Sequence, residues 1–424
     1  MRMAGWNSRD SGAAGAETAP HAPPPRRAHL AQLSFVPAGS SPAGDTLVVV
    51  FLRGAADGLH MVVPHGEEEY HRLRPSLRLP RPDDLRAPKD RRVIDLDGFF
   101  GFHPSLRPLL PAWEAGQLAC VQACGAPDES RSHFKAMEVM ERGTSQESGP
   151  TTGWIGRHLA SLDTSSSSPL RAISLGNSVP RSLYGSVPAT SLQSITEYHL
   201  GTSKTAQLLA SALSVLYGSE DILSTRGQET LQILNTLEKL DPAAYRSTGT
   251  AYPDNDFGRG LAQIAMLIKA EVGLEIGAID LGGWDTHFAQ GVLDGQMPKL
   301  MEELSFGLAA FHSDLADQLG RVCLVVMTEF GRRAYENASL GTDHGHGGMM
   351  LVLGGAVNGG RVYTDWPGLE EENLVGPGDL AMTTDYRDVL GEIVAKRLNN
   401  PKQEEVFPGY EPRELGLFQE QVSD

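Results

Sequence analysis

Hydrophobic positions along this chain fall into two recurring patterns. Short, nearly unbroken apolar runs occupy Thr46–Leu52, Gln117–Ala123, Leu170–Leu175, Glu275–Leu281, Arg321–Thr328 and Met349–Gly355. Runs of this length, bounded by glycine or polar clusters, predict strands buried on both faces. Longer stretches repeat apolar residues three and four apart: His103–Gly116, Arg131–Glu141, 205–217, 221–240, Met297–Leu319 and Tyr386–Leu398. In Arg131–Glu141, for example, Phe134, Met137, Val139 and Met140 are the apolar positions, and that spacing predicts an amphipathic helix. Strands alternating with helices predict an α/β fold with a mostly parallel central sheet and helices on both faces. No fixed-period repeat runs through the chain, which excludes a solenoid or propeller.

The pattern begins late. Residues 1–44 are rich in Ala, Pro, Gly and Ser, including Ala22-Pro23-Pro24-Pro25, and a segment that buries so little surface is predicted to be a disordered leader. No linker interrupts the alternation afterwards, so 45–424 is read as a single domain, with surface loops at Thr164–Ser168 and Tyr245–Asn255. No run approaches the roughly 18 apolar residues that span a bilayer. The basic pair Arg26-Arg27 is followed by Ala28–Pro37, broken by His29, Gln32 and Ser34, short of the about 7–15 apolar residues of a secretory core. As given, the chain reads as cytoplasmic.

Composition sharpens this picture. A 40% hydrophobic fraction in 424 residues supports a large core, while 47 glycines and 27 prolines argue against a helical bundle. The formal charge of −17 repels phosphate backbones and disfavours a nucleic-acid partner. Most of those acids belong to a solvated surface, but carboxylates also supply hard ligands for divalent metals. Cys120, Cys124 and Cys323 are too few and too scattered for a disulfide framework or zinc ribbon, and they read as core residues.

In open α/β sheets, ligands bind outside the carboxyl ends of the strands. Three strand-ending loops carry metal-capable side chains there: Asp57, the pair Asp285 and His287, and Glu329. A fourth loop, Gly341–Gly347, offers Asp343, His344 and His346 just before a strand. Two imidazoles and a carboxylate are costly to gather unless something pairs them, and zinc or manganese accept both ligand types. Asp285 and His287, two apart on an extended loop, can point to one side, whereas Trp284 reads as packing. Ser130 or Ser132 lies at a helix start, where free amides favour an anion, and Arg131 can add bidentate contacts. An ordinary helix cap at Ser132 is the competing reading.

Taken together, Leu52–Leu59, Arg131–Phe134, Gly153–Arg157, Gly282–His287, Met327–Arg332, Glu336-Asn337, Gly341–His346 and Thr383–Arg387 resemble the bacterial family termed domain of unknown function 1501. The resemblance runs from about Asp45 to Gly409. That family is placed in the alkaline phosphatase and sulfatase superfamily. The resemblance implies an alkaline-phosphatase-like three-layer sandwich with a site for one or two divalent metals (Zn, Mn, Mg or Ca). It implies Asp57, Asp285, His287, Glu329 and His344 as metal ligands. Ser132, less so Ser130, falls at the nucleophile, with Arg131, Asp343 and His346 assisting. Gly341–His344 also resembles the last metal loop of cofactor-independent phosphosugar mutases. Glu329-Phe330-Gly331 departs from the Asp-His-Gly of many relatives, and His346, His133 or a single-metal site are the ways to make up the missing imidazole. The sulfatase Cys-x-Pro-x-Arg signature and the Gly-x-Ser-x-Gly elbow are absent.

Three functions follow as expectations. The first is a metal-dependent hydrolase of small-molecule phosphate or sulfate esters through a serine nucleophile. The second is a non-catalytic binding or assembly module with a degraded metal site. The third is a phosphoryl mutase or transferase. Substrate and oligomeric state are left open.

Overall fold

A computed structural model describes residues 44–162, 168, 170–195, 200, 204–219, 221–240 and 251–419, all within one compact unit. The predicted leader, apart from Gly44, and most of the two predicted surface loops lie outside the described residues. Nine strands form the central sheet: β1 (Thr46–Leu52), β2 (Leu118–Gly125), β3 (Ala172–Leu175), β4 (Thr190–Leu192), β5 (Ile276–Leu281), β6 (Val322–Thr328), β7 (Gly348–Gly354), β8 (Arg361–Tyr363) and β9 (Thr384–Asp385). Their order is β8-β2-β7-β6-β1-β5-β3-β4, with β9 beside the end of β2. The six apolar runs supply the six principal strands. The three-residue β4 and β8 and the two-residue β9 are too short to show a period.

Pairing is parallel throughout except at β7, which runs antiparallel to both β6 and β2. This single reversal positions the site. Loops that follow β1, β5 and β6 emerge at the carboxyl edge of the sheet. Because β7 points the other way, the loop that precedes it emerges at the same edge.

Alternate residues of β1 feed two separate cores. Val48, Val50 and Leu52 join Leu261, Ile264, Met301 and Leu308 from helices Asp256–Lys269 and Gln296–Asp314. Leu47, Val49 and Phe51 join Val139, Ile155, Val389 and Ile393 from helices His133–Arg142, Trp154–Ser161 and Tyr386–Lys396. The architecture is therefore three-layered, as the pattern predicts. The expected helix over His103–Gly116 is divided into a 3-10 turn, Pro104–Leu109, and a short α-helix, Leu110–Glu114. Pro104, Pro108 and Pro111 remove amide donors that one continuous helix would need. No helix among the described residues is long and apolar enough to cross a membrane.

Candidate metal centre

Four side chains from three segments meet at the carboxyl edge of the sheet. Asp285 and His287 follow β5, His344 precedes β7, and His133 opens the helix His133–Arg142. His344 Nε2 lies 3.2 Å from Asp285 Oδ1 and His287 Nε2 lies 3.1 Å from the same oxygen. His133 Nε2 is 3.4 Å from Asp285 Oδ2, and it is buried without a hydrogen-bond partner. The Nε2 atoms of His287 and His344 are 2.8 Å apart.

Each imidazole is held from behind through Nδ1. His133 Nδ1 lies 2.8 Å from Glu329 Oε1, His287 Nδ1 lies 3.0 Å from Asp343 Oδ1, and His344 Nδ1 lies 2.8 Å from the Arg131 carbonyl. A carbonyl only accepts, so Nδ1 of His344 carries the hydrogen. Asp343 also accepts from Asn337 Nδ2 at 3.0 Å, and that bond, outweighing a smaller burial effect, holds its carboxyl below the usual range. An ionised Asp343 requires Nδ1–H on His287. In neutral rings both Nε2 atoms therefore present lone pairs to each other at 2.8 Å, a repulsion that a cation between them removes. Ligands about 2.0–2.1 Å from a zinc ion stand roughly 2.9–3.4 Å from one another; the three separations from Asp285 fall in that range, and the 2.8 Å between His287 and His344 lies just below it. Donor type, spacing and carboxylate- or carbonyl-anchored imidazoles thus fit a divalent metal.

The surroundings fix these groups in place. Phe330 stacks on His133, with ring centroids 5.1 Å apart and planes at 27°, and lies 4.9 Å from the His344 ring. It forms an apolar floor under two of the three imidazoles. Burial pushes the Glu329 carboxyl up, but bonds from His133 and the amides of Gly54 and Ala55 win and hold it below its ordinary value. The Glu329 bond in turn raises the pKa of His133. Burial is the main influence on His344 and lowers its pKa. Burial also opposes ionisation of Asp285, yet bonds from Arg332 and His344 carry it down to about 2.

Arg332 connects the loops. It is 1% exposed, and it donates to the carbonyls of Gly54, Ala55, Trp284 and Thr342 as well as to Asp285 Oδ1. Glycine permits the close approach of these loops: a Cβ on Gly331 would sit 1.8 Å from the Gly347 carbonyl oxygen.

The remaining sequence-predicted residues are placed as follows. Asp57 is fully buried. Its oxygens accept from Arg74 Nη1 at 2.6 Å, Arg74 Nη2 at 3.1 Å and Gln290 Nε2 at 2.9 Å. Gln290 Oε1 also accepts from Thr286 and Thr342, so Asp57 reaches the ligand loops through Gln290. Glu329 stands behind His133 rather than beside Asp285. Ser132 is the N-cap of helix His133–Arg142 by backbone conformation, and its hydroxyl makes no cap bond. Ser130 Oγ is engaged by the Ser132 amide at 3.3 Å. Arg131 pairs with the buried Asp379, and His346 directs Nε2 to the Ala126 carbonyl at 2.9 Å. Sequence reasoning reached His133 only as a substitute for a missing imidazole. It gave no role to Arg332, Arg74 or Gln290, most of whose partners lie far away in the chain.

Among solved structures, the chain is similar to an alkaline phosphatase from the Antarctic bacterium TAB5, at 6% identity and a TM-score of 0.26, covering 74% of this chain and 92% of that one. A histidine-to-glutamate mutant of TAB5 alkaline phosphatase, with magnesium bound in its M3 site, gives 7% identity and a TM-score of 0.29, covering 74% and 91%. At these values the likeness carries neither fold nor activity to this chain. No curated protein sequence matches it. The family model described as a protein of unknown function, DUF1501, matches residues 45–398, and the chain belongs to that family.

Proposed function

We propose that His133, Asp285, His287 and His344 hold one divalent metal ion, and that the protein hydrolyses a phosphate or sulfate ester there. The observation that carries this reading is the grouping of donor atoms of His133, Asp285 and His344 within 4.8 Å of one another, with His287 Nε2 3.1 Å from Asp285 Oδ1 and each imidazole Nδ1 anchored. Three imidazoles and one carboxylate favour zinc or manganese over magnesium or calcium. When bound, such an ion stabilises charge on a transferring group and lowers the pKa of an oxygen nucleophile.

The chain's own residues divide the remaining work. Ser132 lies between Arg131, whose carbonyl orients His344, and His133. Its hydroxyl, uncommitted to capping, is the nucleophile: it bonds phosphorus or sulfur and gives up its proton as the ester's alcohol leaves carrying one, and water then cleaves the covalent serine ester to restore the hydroxyl. Amides in the first turn of its helix favour the anion electrostatically. Asp343 and Glu329 fix ring orientation, and Arg332 fixes Asp285. Asp57 acts at one remove, by ordering Thr286 and Thr342 through Gln290.

The test is elemental analysis of the purified chain, combined with a panel of phosphate and sulfate monoesters and diesters. One metal per chain, lost in His344→Ala, and turnover lost in Ser132→Ala are the expected results. Turnover that survives both substitutions overturns the hydrolase reading. Well-folded protein that neither retains nor takes up metal favours the binding-module alternative.

A further inference from the structure

Three large apolar side chains that adjoin, in sequence, the segments of the candidate metal centre are left in solvent by the fold. Phe134, next to His133, is 84% exposed; Phe288, next to His287, is 76% exposed; and Leu340, which precedes the Gly341–Gly347 loop, is 53% exposed. Single exposed apolar residues need no explanation, but grouped ones mark contact sites, and backbone bonds bring the segments of Phe288 and Leu340 together. These three adjoin three different segments of one site.

Their placement is fixed. Ala289 donates to the Ser339 carbonyl and Gln290 to the Leu340 carbonyl, both at 2.9 Å. Asn337 Nδ2 donates to the His287 carbonyl at 2.9 Å, and a Cβ on Gly341 would meet His287 backbone at 2.4 Å. The two loops are thus tied together around Phe288 and Leu340. Ala289 and Leu340 both hold positive φ, +46° and +57°, a strained backbone for residues that carry a Cβ. The chain accepts that strain while leaving Phe288 and Leu340 outward rather than in a core.

Charge narrows the ligand further. The ligands and their neighbours include four carboxylates, Asp285, Asp343, Glu329 and Asp379, and three guanidiniums, Arg131, Arg332 and Arg333. With neutral imidazoles this leaves one negative charge, which a divalent ion converts to one positive charge. All three guanidiniums are already in contact with carboxylates. A monoanion matches that balance better than a dianion.

We infer that the site selects monoanionic esters bearing an aromatic or extended apolar group, which lies against Phe134, Phe288 and Leu340. This rests on the metal-centred reading above and adds the substrate class. Calorimetric titration of the zinc-loaded full chain tests it with phenyl methylphosphonate and methyl methylphosphonate, two monoanions that differ by a ring. The phenyl compound is expected to bind about tenfold more tightly, the scale of partial ring burial. In Phe134→Ala/Phe288→Ala that ratio should fall to within about twofold. Both substitutions remove exposed side chains, so folding is not at stake. A ring that adds nothing, or a ratio unchanged in the double variant, overturns the proposal and leaves the metal-centred reading standing. Phenylphosphonate binding more tightly as its dianion than phenyl methylphosphonate overturns the monoanion assignment. If zinc binds stoichiometrically but neither methylphosphonate does, the ester reading and this proposal fall together.

Discussion

Arg332 Nη2 lies 2.8 Å from Asp285 Oδ1, and the guanidinium that makes this contact is almost completely buried. The same group satisfies carbonyls from the loops after β1 and β5 and from the loop before β7. A planar fork with five donors does what a lysine ammonium cannot do in one geometry. Arg332→Met would leave four buried carbonyls and a carboxylate without their donor. Asp285 is half-exposed and keeps its histidine partners, so the loss comes from the buried carbonyls, at about 1–3 kcal/mol for a group left unpaired, and urea denaturation should show a loss of at least about 2 kcal/mol. A loss below about 1 kcal/mol, the scale of a surface pair, would contradict this account of how the loops are joined.

The Asp57–Arg74 pair gives a second, separable prediction. Both side chains are fully buried, and the guanidinium engages both carboxylate oxygens. Burial opposes the Asp57 charge, but Arg74 outweighs it and holds the carboxyl below its ordinary range. Asp57→Asn should therefore destabilise the fold by about 3–5 kcal/mol while the chain, where folded, keeps one metal. Metal content measured on folded Asp57→Asn decides the matter. Loss of the ion would return Asp57 to the ligand set.

These two pairs show where the sequence was legible and where it was not. The long apolar runs gave the principal strands, because burial on both faces leaves a continuous signature. Glycine-flanked Asp285-x-His287 and Asp343-His344 stood out because polar clusters at strand ends have few other uses. Arg74 is 17 positions from Asp57 and Arg332 is 47 from Asp285, and neither spacing has a pattern. His133 was overshadowed by Ser132 beside it, and only the ring orientation set by Glu329 shows where its Nε2 points. The placement of Glu329 behind an imidazole is likewise a matter of geometry: residue type alone permits either position. The helices Trp154–Ser161 and Asp256–Lys269 went unrecognised. The first is short, and the second begins at the edge of a segment read as loop.

Part of the acid sensitivity should come from histidines outside the metal centre. Burial drives His60 down to about 4, His103 to about 3 and His158 to about 4. The geometry of His103 shows why: Nδ1 accepts from the Ser105 amide at 3.0 Å while Nε2 faces the Val292 carbonyl at 2.6 Å. That requires one neutral tautomer. The unfolded chain takes up these protons near the ordinary histidine pKa of about 6.5, and the folded chain does so only near 3–4. Their contribution is therefore full above about pH 6.5 and is lost as pH falls towards the folded values, by up to about 1.4 kcal/mol per unit per histidine. Urea midpoints between pH 7 and pH 4 should fall accordingly, and His103→Asn should flatten the slope. A slope unchanged by that substitution would remove His103 from the explanation.

Ser132→Ala separates chemistry from architecture. Because the hydroxyl makes no cap bond, its removal should cost less than the about 1 kcal/mol typical of a lost side-chain cap. Metal content should be unchanged and ester turnover abolished. A stability loss at the full capping value would mean that the hydroxyl caps the helix in solution, weakening its assignment as nucleophile.

Chelation tests the centre most directly. Without an ion, the Nε2 atoms of His287 and His344 face each other at 2.8 Å and His133 Nε2 is buried without a partner. An ion that binds only the folded chain stabilises it by an amount that rises with the logarithm of its concentration, about 2.7 kcal/mol at 100 times Kd. Thermal unfolding of chelated protein should therefore shift upward on adding zinc or manganese, by an amount that grows with metal concentration. Magnesium should do less, because imidazole suits it poorly. His344→Ala should remove most of the shift, since it deletes one of three imidazole donors while leaving Asp285 paired with Arg332. Equal shifts in the natural chain and His344→Ala would place the responsible ion somewhere other than this cluster.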